Sequence, residues 1–306
     1  LMASGGTFVN GIARPLAVRG EKLWQSVPSD FALDDLPDVA VVLERRLQGS
    51  DDEWVQVACT SDFSKEGRRW GYELRFETDA DGTPVEVDGQ PGPLPTYDPA
   101  GRLYEYRTVE RIDGLSGTPG TDDDVFKVSV GAGGNYRIVN SYAPTSGNLT
   151  VKKLYGNHPV GELYPDLTFT LYRQYAKADG SLSSPYRVEQ RRLASRDVVD
   201  DQGSVTFAGL PVYAPNGQPW LYSVVEKGTG GYASTVALGN LSSTDDPAFG
   251  AHGPVFGGEL SSADSVGPIG IPGGEAALDE VADLTFANVY EPAPSFRIEG
   301  TKHWVD

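Results

Sequence analysis

Four blocks of residues occur twice along the chain in the same order, and this internal repeat confines the fold to two related units in tandem. The first block is an alternating stretch in which a lysine is followed by an apolar residue and then an aromatic. It runs Val18-Arg19-Gly20-Glu21-Lys22-Leu23-Trp24 in one copy and Leu149-Thr150-Val151-Lys152-Lys153-Leu154-Tyr155 in the other. The second, Pro37 to Arg45, matches Pro165 to Arg173, with Pro, Asp, Leu and Arg at identical offsets. The third opens on Leu94-Pro95 and Leu210-Pro211, turns at Pro99-Ala100-Gly101 and Pro215-Asn216-Gly217, and runs into an alternating strand that reaches Glu110 and Glu226. Both glutamates stand 16 positions after the leucine. The fourth is a strand carrying asparagine, Tyr136 to Tyr142 around Asn140 and Leu284 to Tyr290 around Asn288.

Aliphatic, threonine and aromatic residues recur at two-residue spacing through every block, the period of half-buried strands, and prolines and glycines punctuate the gaps. With 37 Gly and 22 Pro against a single Met, the composition also fits many short strands joined by turns. The chain is therefore expected to be all-β. Its 25 Lys and Arg against 43 Asp and Glu leave a net charge of -18, which repels nucleic-acid phosphate and anionic lipid, so neither is an expected partner. No apolar run reaches the roughly 18 residues of a membrane span, and direct membrane insertion is not expected. Cys59 is the single cysteine, so no intramolecular disulfide can staple the chain. It alternates with Val55 and Val57, which predicts a core position.

Fragments of the blocks stand at both ends. Thr7-Phe8-Val9-Asn10 repeats the asparagine strand, and Arg297 to Trp304 repeats the lysine block around Lys302. From each asparagine to the next lysine the distances are 12, 13 and 14 residues, with Pro15, Pro144, Pro292 and Pro294 in the gaps, as in short linkers. The expected organisation is the tail of a preceding repeat over 1–14, one sandwich over 15–144, a second over 145–292, and the start of a following repeat over 293–306. Asn10 and Lys302 are then orphans whose partners lie in neighbouring repeats. Residues 233–283, rich in Gly, Ser and Pro, read as a long insertion before the last strand of the second unit, with a short helix over 275–281.

The block order resembles the Cna B-type repeats, the B-repeats of collagen-binding adhesin found in Gram-positive surface adhesins and pilins. The resemblance covers about residues 15–291 in two copies. It is most specific at Phe207-Ala208-Gly209-Leu210-Pro211-Val212-Tyr213 through Glu226 and at Asn288-Val289-Tyr290, and looser in the first copy, where Leu94 lacks the preceding Phe-x-Gly. It implies two tandem immunoglobulin-like β-sandwiches, in each of which a first-strand lysine bonds covalently to a last-strand asparagine beside a glutamate. By position these are Lys22, Glu110 and Asn140 in the first unit and Lys153, Glu226 and Asn288 in the second. Lys153 is preferred to Lys152 because Lys22 and Lys302 also stand two residues before an aromatic.

The residue types suit that chemistry. An ammonium is no nucleophile, and burial among apolar side chains favours loss of its proton. Burial likewise favours a neutral glutamic acid, which can polarise the asparagine carbonyl and carry protons as ammonia leaves. The bond forms once per unit, so Glu110 and Glu226 promote a single turnover and the chain is not expected to be an enzyme. No cofactor and no metal are expected. Asp179, Ser181 and Ser183 have the spacing of a metal motif of integrin-type A domains, but that motif belongs to a parallel α/β sheet, and a hairpin turn is expected here. The function these features imply is a stalk segment of a cell-wall-anchored adhesin or pilus on the outside of a Gram-positive bacterium, its partners the neighbouring repeats of the same chain. The alternative is an adhesive module binding a host matrix protein or glycan through the 233–283 stretch.

Overall fold

The computed structural model describes residues 18–74, 86–87, 90–91, 97–112, 125–131, 136–245, 265–270 and 282–290. The chain divides into two compact units, Leu1–Pro144 with Pro215–Gly217, and Thr145–Ala214 with Gln218–Asp306. Both are immunoglobulin-like β-sandwiches.

In the first unit the strands are β1 (Val18–Gln25), β2 (Val39–Leu47), β3 (Val55–Thr60), β4 (Ser64–Glu66), β5 (Arg69–Leu74), β6 (Glu86–Val87), β7 (Gln90–Pro91), β8 (Tyr104–Ile112), β9 (Phe126–Val130) and β10 (Arg137–Tyr142). One sheet has the order β4-β5-β1-β10-β9 and the other β3-β2-β8, with β6 and β7 paired as a small ribbon. Val18, Val41, Leu43, Tyr72, Leu74 and Ile138 form a core cluster drawn from both sheets. Alternation explains this, since in each strand the residues of one parity face the opposing sheet.

The second unit repeats the plan with β11 (Ser146–Gly156), β12 (Leu167–Gln174), β13 (Tyr186–Leu193), β14 (Gln202–Pro211), β15 (Leu221–Lys227), β16 (Tyr232–Leu238), β17 (Ser265–Gly270) and β18 (Ala282–Tyr290). Its sheets are β14-β11-β18-β16 and β13-β12-β15-β17. In each unit the lysine strand lies between an antiparallel neighbour and the asparagine strand, and it runs parallel to the latter.

The repeat extends to the turns. Asp98 N–H donates to the Arg102 carbonyl at 2.8 Å, and Ala214 N–H donates to Gln218 at 2.7 Å. The glycines of the two Pro-x-Gly turns, Gly101 and Gly217, have φ of 81° and 79°, a left-handed conformation that glycine adopts without strain.

Two features differ from the sequence reading. Cys59 is exposed rather than in the core. The cause is a bulge: β3 pairs Leu43 with Ala58 but Glu44 with Gln56, so Val57 is an extra residue and the inward parity changes along the strand. Val57 and Ala58 pack on the core, and Val55 is exposed. Secondly, 233–283 is not simply an insertion. Tyr232–Leu238 pairs with β18, and Ser265–Gly270 adds an edge strand to β15. Pro268 is tolerated there because the pairing skips a register beside it, and an edge strand needs fewer N–H donors. Asp179 lies in the expected hairpin turn, where its Oδ1 accepts from Ser181 N–H at 2.8 Å and Ser181 Oγ at 2.6 Å. The expected helix over 275–281 lies outside the described residues.

Gly20 is required by packing within the first unit. A Cβ there would come within 2.2 Å of the Tyr136 carbonyl oxygen and of the Tyr72 ring. The Tyr72 hydroxyl lies across β1 at this point and donates to that carbonyl at 2.6 Å. Gly20→Ala should therefore destabilise the first unit by about 1–3 kcal/mol, as overpacking does, and lower its thermal unfolding transition while leaving that of the second unit in place.

Candidate cross-linking site

Alternation places Val18, Gly20, Lys22 and Trp24 on one face of β1, and Leu149, Val151, Lys153 and Tyr155 on one face of β11. Each lysine thus occupies a core position flanked by apolar residues, and both Lys22 and Lys153 are fully buried. A buried ammonium is costly unless it is paired. Glu110 and Glu226 supply the pairing from the opposite sheet, themselves 2% and 1% exposed. They stand opposite Val41 and Phe169, which hold the same offset in the second sequence block.

In the first unit the Lys22 ammonium is in ion-pair contact with a Glu110 carboxylate oxygen. It also lies 4.3 Å from the centre of the Trp24 ring. Burial lowers the Lys22 ammonium to about 8 from 10.5, outweighing the opposing pull of Glu110. In the second unit Lys153 Nζ is 2.8 Å from Glu226 Oε1.

The asparagines arrive on the adjacent parallel strands. Asn140 stands opposite Trp24, with Ile138 opposite Lys22, and Asn288 stands opposite Tyr155, with Phe286 opposite Lys153. The asparagine is therefore displaced by one same-face step from the lysine in both units, and both asparagines are fully buried. Asn288 Nδ2 donates to Glu226 Oε1 at 3.4 Å, so this oxygen meets both the amine and the amide. The Asn288 carbonyl oxygen accepts from Ser234 Oγ at 2.7 Å. Asn140 differs: neither its amide nitrogen nor its oxygen finds a hydrogen-bond partner among the described residues.

Aromatic side chains close both sites. Trp24 packs edge-on against Trp70 and Phe126 at centroid distances of 5.4 and 5.1 Å. Tyr155 packs on Tyr164 and Tyr232 at 4.8 and 5.6 Å. Such packing excludes water, which would otherwise solvate the ammonium and compete for the amide.

Lys153, Glu226 and Asn288 thus meet in the second unit, while in the first Lys22 and Glu110 pair and Asn140 is buried one same-face step along the neighbouring strand. Lys152, on the opposite face of β11 from Lys153, donates to Asn240 Oδ1 at 3.0 Å. Asn10 and Lys302 lie outside the described residues. Ser234 was missed because it stands in the stretch read as an insertion. The signal available was the alternation of Tyr232, Ser234, Val236 and Leu238. Among the described residues no group of three or more His, Cys, Asp or Glu side chains is placed to hold a metal ion, and no helix is long and apolar enough to cross a membrane.

No family model matches the chain, and no curated protein matches it. Solved structures do. Two B repeat units of the collagen binding protein of Staphylococcus aureus match at 18% identity and a TM-score of 0.25, over 91% of this chain and 50% of that one, so the chain spans about half its length. The major pilin from Streptococcus pyogenes matches at 13% identity and a TM-score of 0.29, over 91% and 99% of the two chains. An adhesin from Mobiluncus mulieris that contains intramolecular disulfide, isopeptide and ester bond cross-links matches at 11% identity and a TM-score of 0.29, over 83% and 85%. The chain is similar in structure to Cna B-repeat units and to pilins and adhesins of Gram-positive bacteria.

Proposed function

We propose that the chain is a load-bearing stalk segment of an adhesin or pilus on the surface of a Gram-positive bacterium, and that each sandwich locks itself with a Lys-Asn isopeptide bond, Lys22 to Asn140 and Lys153 to Asn288. The observation that carries this is the duplicated burial of a lysine, a glutamate and an asparagine at the same register of the same strands. Buried ionisable groups are rarely kept without a reason, and two identical sets are harder to assign to chance than one.

The reaction balances without a cofactor. The lysine ammonium passes a proton to the glutamate, the neutral amine attacks the asparagine side-chain carbonyl carbon, and a tetrahedral adduct forms. One amine proton moves to the former amide nitrogen, which departs as ammonia and recovers the proton held by the glutamate. A secondary amide and an ammonium ion remain. Folding supplies the catalysis by holding amine and amide together, so that an otherwise sluggish exchange becomes effectively unimolecular.

The mechanical consequence comes from strand direction. Because the asparagine strand runs parallel to the lysine strand, tension applied at the start of one and the end of the other loads them in shear. A covalent bond between them carries that tension past everything between Lys22 and Asn140, or between Lys153 and Asn288.

Intact-mass spectrometry tests the reading. The protein should weigh about 34 Da less than its sequence, about 17 Da for each ammonia lost. Lys22→Ala and Lys153→Ala should each restore about 17 Da beyond the change of residue. A protein at its full sequence mass would refute the cross-links.

A further inference from the structure

We infer that Ser234 is a catalytic residue of the second unit: its hydroxyl stabilises the oxyanion that develops on Asn288, and it gives this unit a faster cross-linking step than the first. The inference rests on the isopeptide chemistry proposed above and assigns a role to a residue outside the Lys, Glu and Asn set.

The geometry separates the two ends of the Asn288 amide. Its nitrogen faces Glu226 Oε1, the oxygen that also meets Lys153, while its carbonyl oxygen accepts from Ser234 Oγ at 2.7 Å. Ser234 is 7% exposed and stands directly opposite Asn288 in the β16–β18 pairing. Its hydroxyl is therefore fixed by strand register and shielded from water. When the amine adds, negative charge collects on Oδ1, where the Ser234 O–H already points. A donor already placed where charge develops lowers the barrier without reorganising at the moment of reaction. Glu226 is thereby left to move protons, receiving one from Lys153 and returning it to the departing nitrogen.

The first unit provides the contrast. The strand pairing that sets Ser234 opposite Asn288 sets Val128 opposite Asn140. Valine has no proton to donate, and the Asn140 oxygen finds no partner among the described residues. The two units thus share lysine, glutamate and asparagine, but among the described residues the donor to the asparagine oxygen is present in the second alone, as is the contact from the asparagine nitrogen to the glutamate.

The test tracks both bonds in the same molecules. The full chain is synthesised in a cell-free reaction with a short label pulse and quenched in acid at intervals. After digestion, the peptides joining Lys22 to Asn140 and Lys153 to Asn288 are quantified by mass spectrometry. Ser234→Ala should lengthen the half-time of the second bond by about 100-fold, the lower end of the range for removal of an oxyanion donor, while the first bond keeps its wild-type half-time. Ser234→Thr, which retains a hydroxyl, should recover most of the rate. Val128→Ser should shorten the half-time of the first bond, an effect that a merely structural role for the serine would not produce. Unchanged kinetics of the second bond in Ser234→Ala would overturn the inference while leaving the cross-links standing. Failure of the wild-type chain to join Lys153 to Asn288 at all would overturn both.

Discussion

Glu226→Ala is expected to yield a protein whose second unit carries no cross-link and is destabilised more than loss of the bond alone would cause. Two losses add. By the chain-entropy relation used for disulfides, a closure between Lys153 and Asn288 is worth about 5 kcal/mol, which the variant forfeits. The alanine also leaves the Lys153 ammonium fully buried without the carboxylate 2.8 Å away, and removing one partner of a buried pair typically costs about 3–5 kcal/mol. Together these rival the entire stability of an ordinary domain. Mass spectrometry should show about 17 Da restored. Calorimetry should show the transition of the second unit lowered steeply or lost, with the first unit's retained. The double variant Lys153→Met/Glu226→Leu separates the terms, since it lacks the bond but buries no charge. It should regain the part due to the unpaired ammonium. If Glu226→Ala were as stable as this double variant, the glutamate would not be holding a buried charge.

How much of the fold and the site was legible in the sequence depended on the range of the interaction. The lysine, glutamate and asparagine positions could be found because the chain contains its own comparison: Lys22 and Lys153 each precede an aromatic by two residues, and Glu110 and Glu226 keep a fixed distance from Leu-Pro. The all-β architecture came from two-residue alternation, which is local. What failed was non-local. Cys59 alternates with Val55 and Val57 as a core residue would, but the bulge against Leu43 and Glu44 reverses its facing, and a bulge is a property of the pairing rather than of one strand. Ser265–Gly270, with Gly267 and Pro268 inside it, has almost no strand propensity of its own and is a strand because the edge of β15 offers it a partner. Tyr232–Leu238 alternates well enough to be read as a strand, but the glycines and serines from Gly239 onward drew it into the insertion. Ser234, which meets the asparagine oxygen in the second site where the first has Val128, was lost with it.

Asn140→Ala removes the acceptor of the first bond, and its second effect is a pH dependence that the cross-linked protein does not have. The closure between Lys22 and Asn140 is worth about 5 kcal/mol on the same chain-entropy relation, so the first unit should unfold at a much lower temperature than in the wild type. Its free amine now titrates. Burial holds Lys22 at about 8 in the folded unit against 10.5 when exposed. Between these values the unfolded chain binds the proton and the folded unit does not, so stability rises with pH through this window and is lost as pH falls through 8. From pH 7 to 10 the gain integrates to about 2–3 kcal/mol, or roughly 10 °C in the unfolding temperature of a unit of this size. Above pH 10 the trend should flatten and reverse, because burial pushes the Tyr72 hydroxyl up to about 12 and that group favours the folded state only while it keeps its proton. In the wild type the Lys22 nitrogen would be an amide and could not titrate, so the rise should be missing. A Lys22→Met/Asn140→Ala control should lack it as well. A rise of equal size in that control would assign the effect to some group other than Lys22.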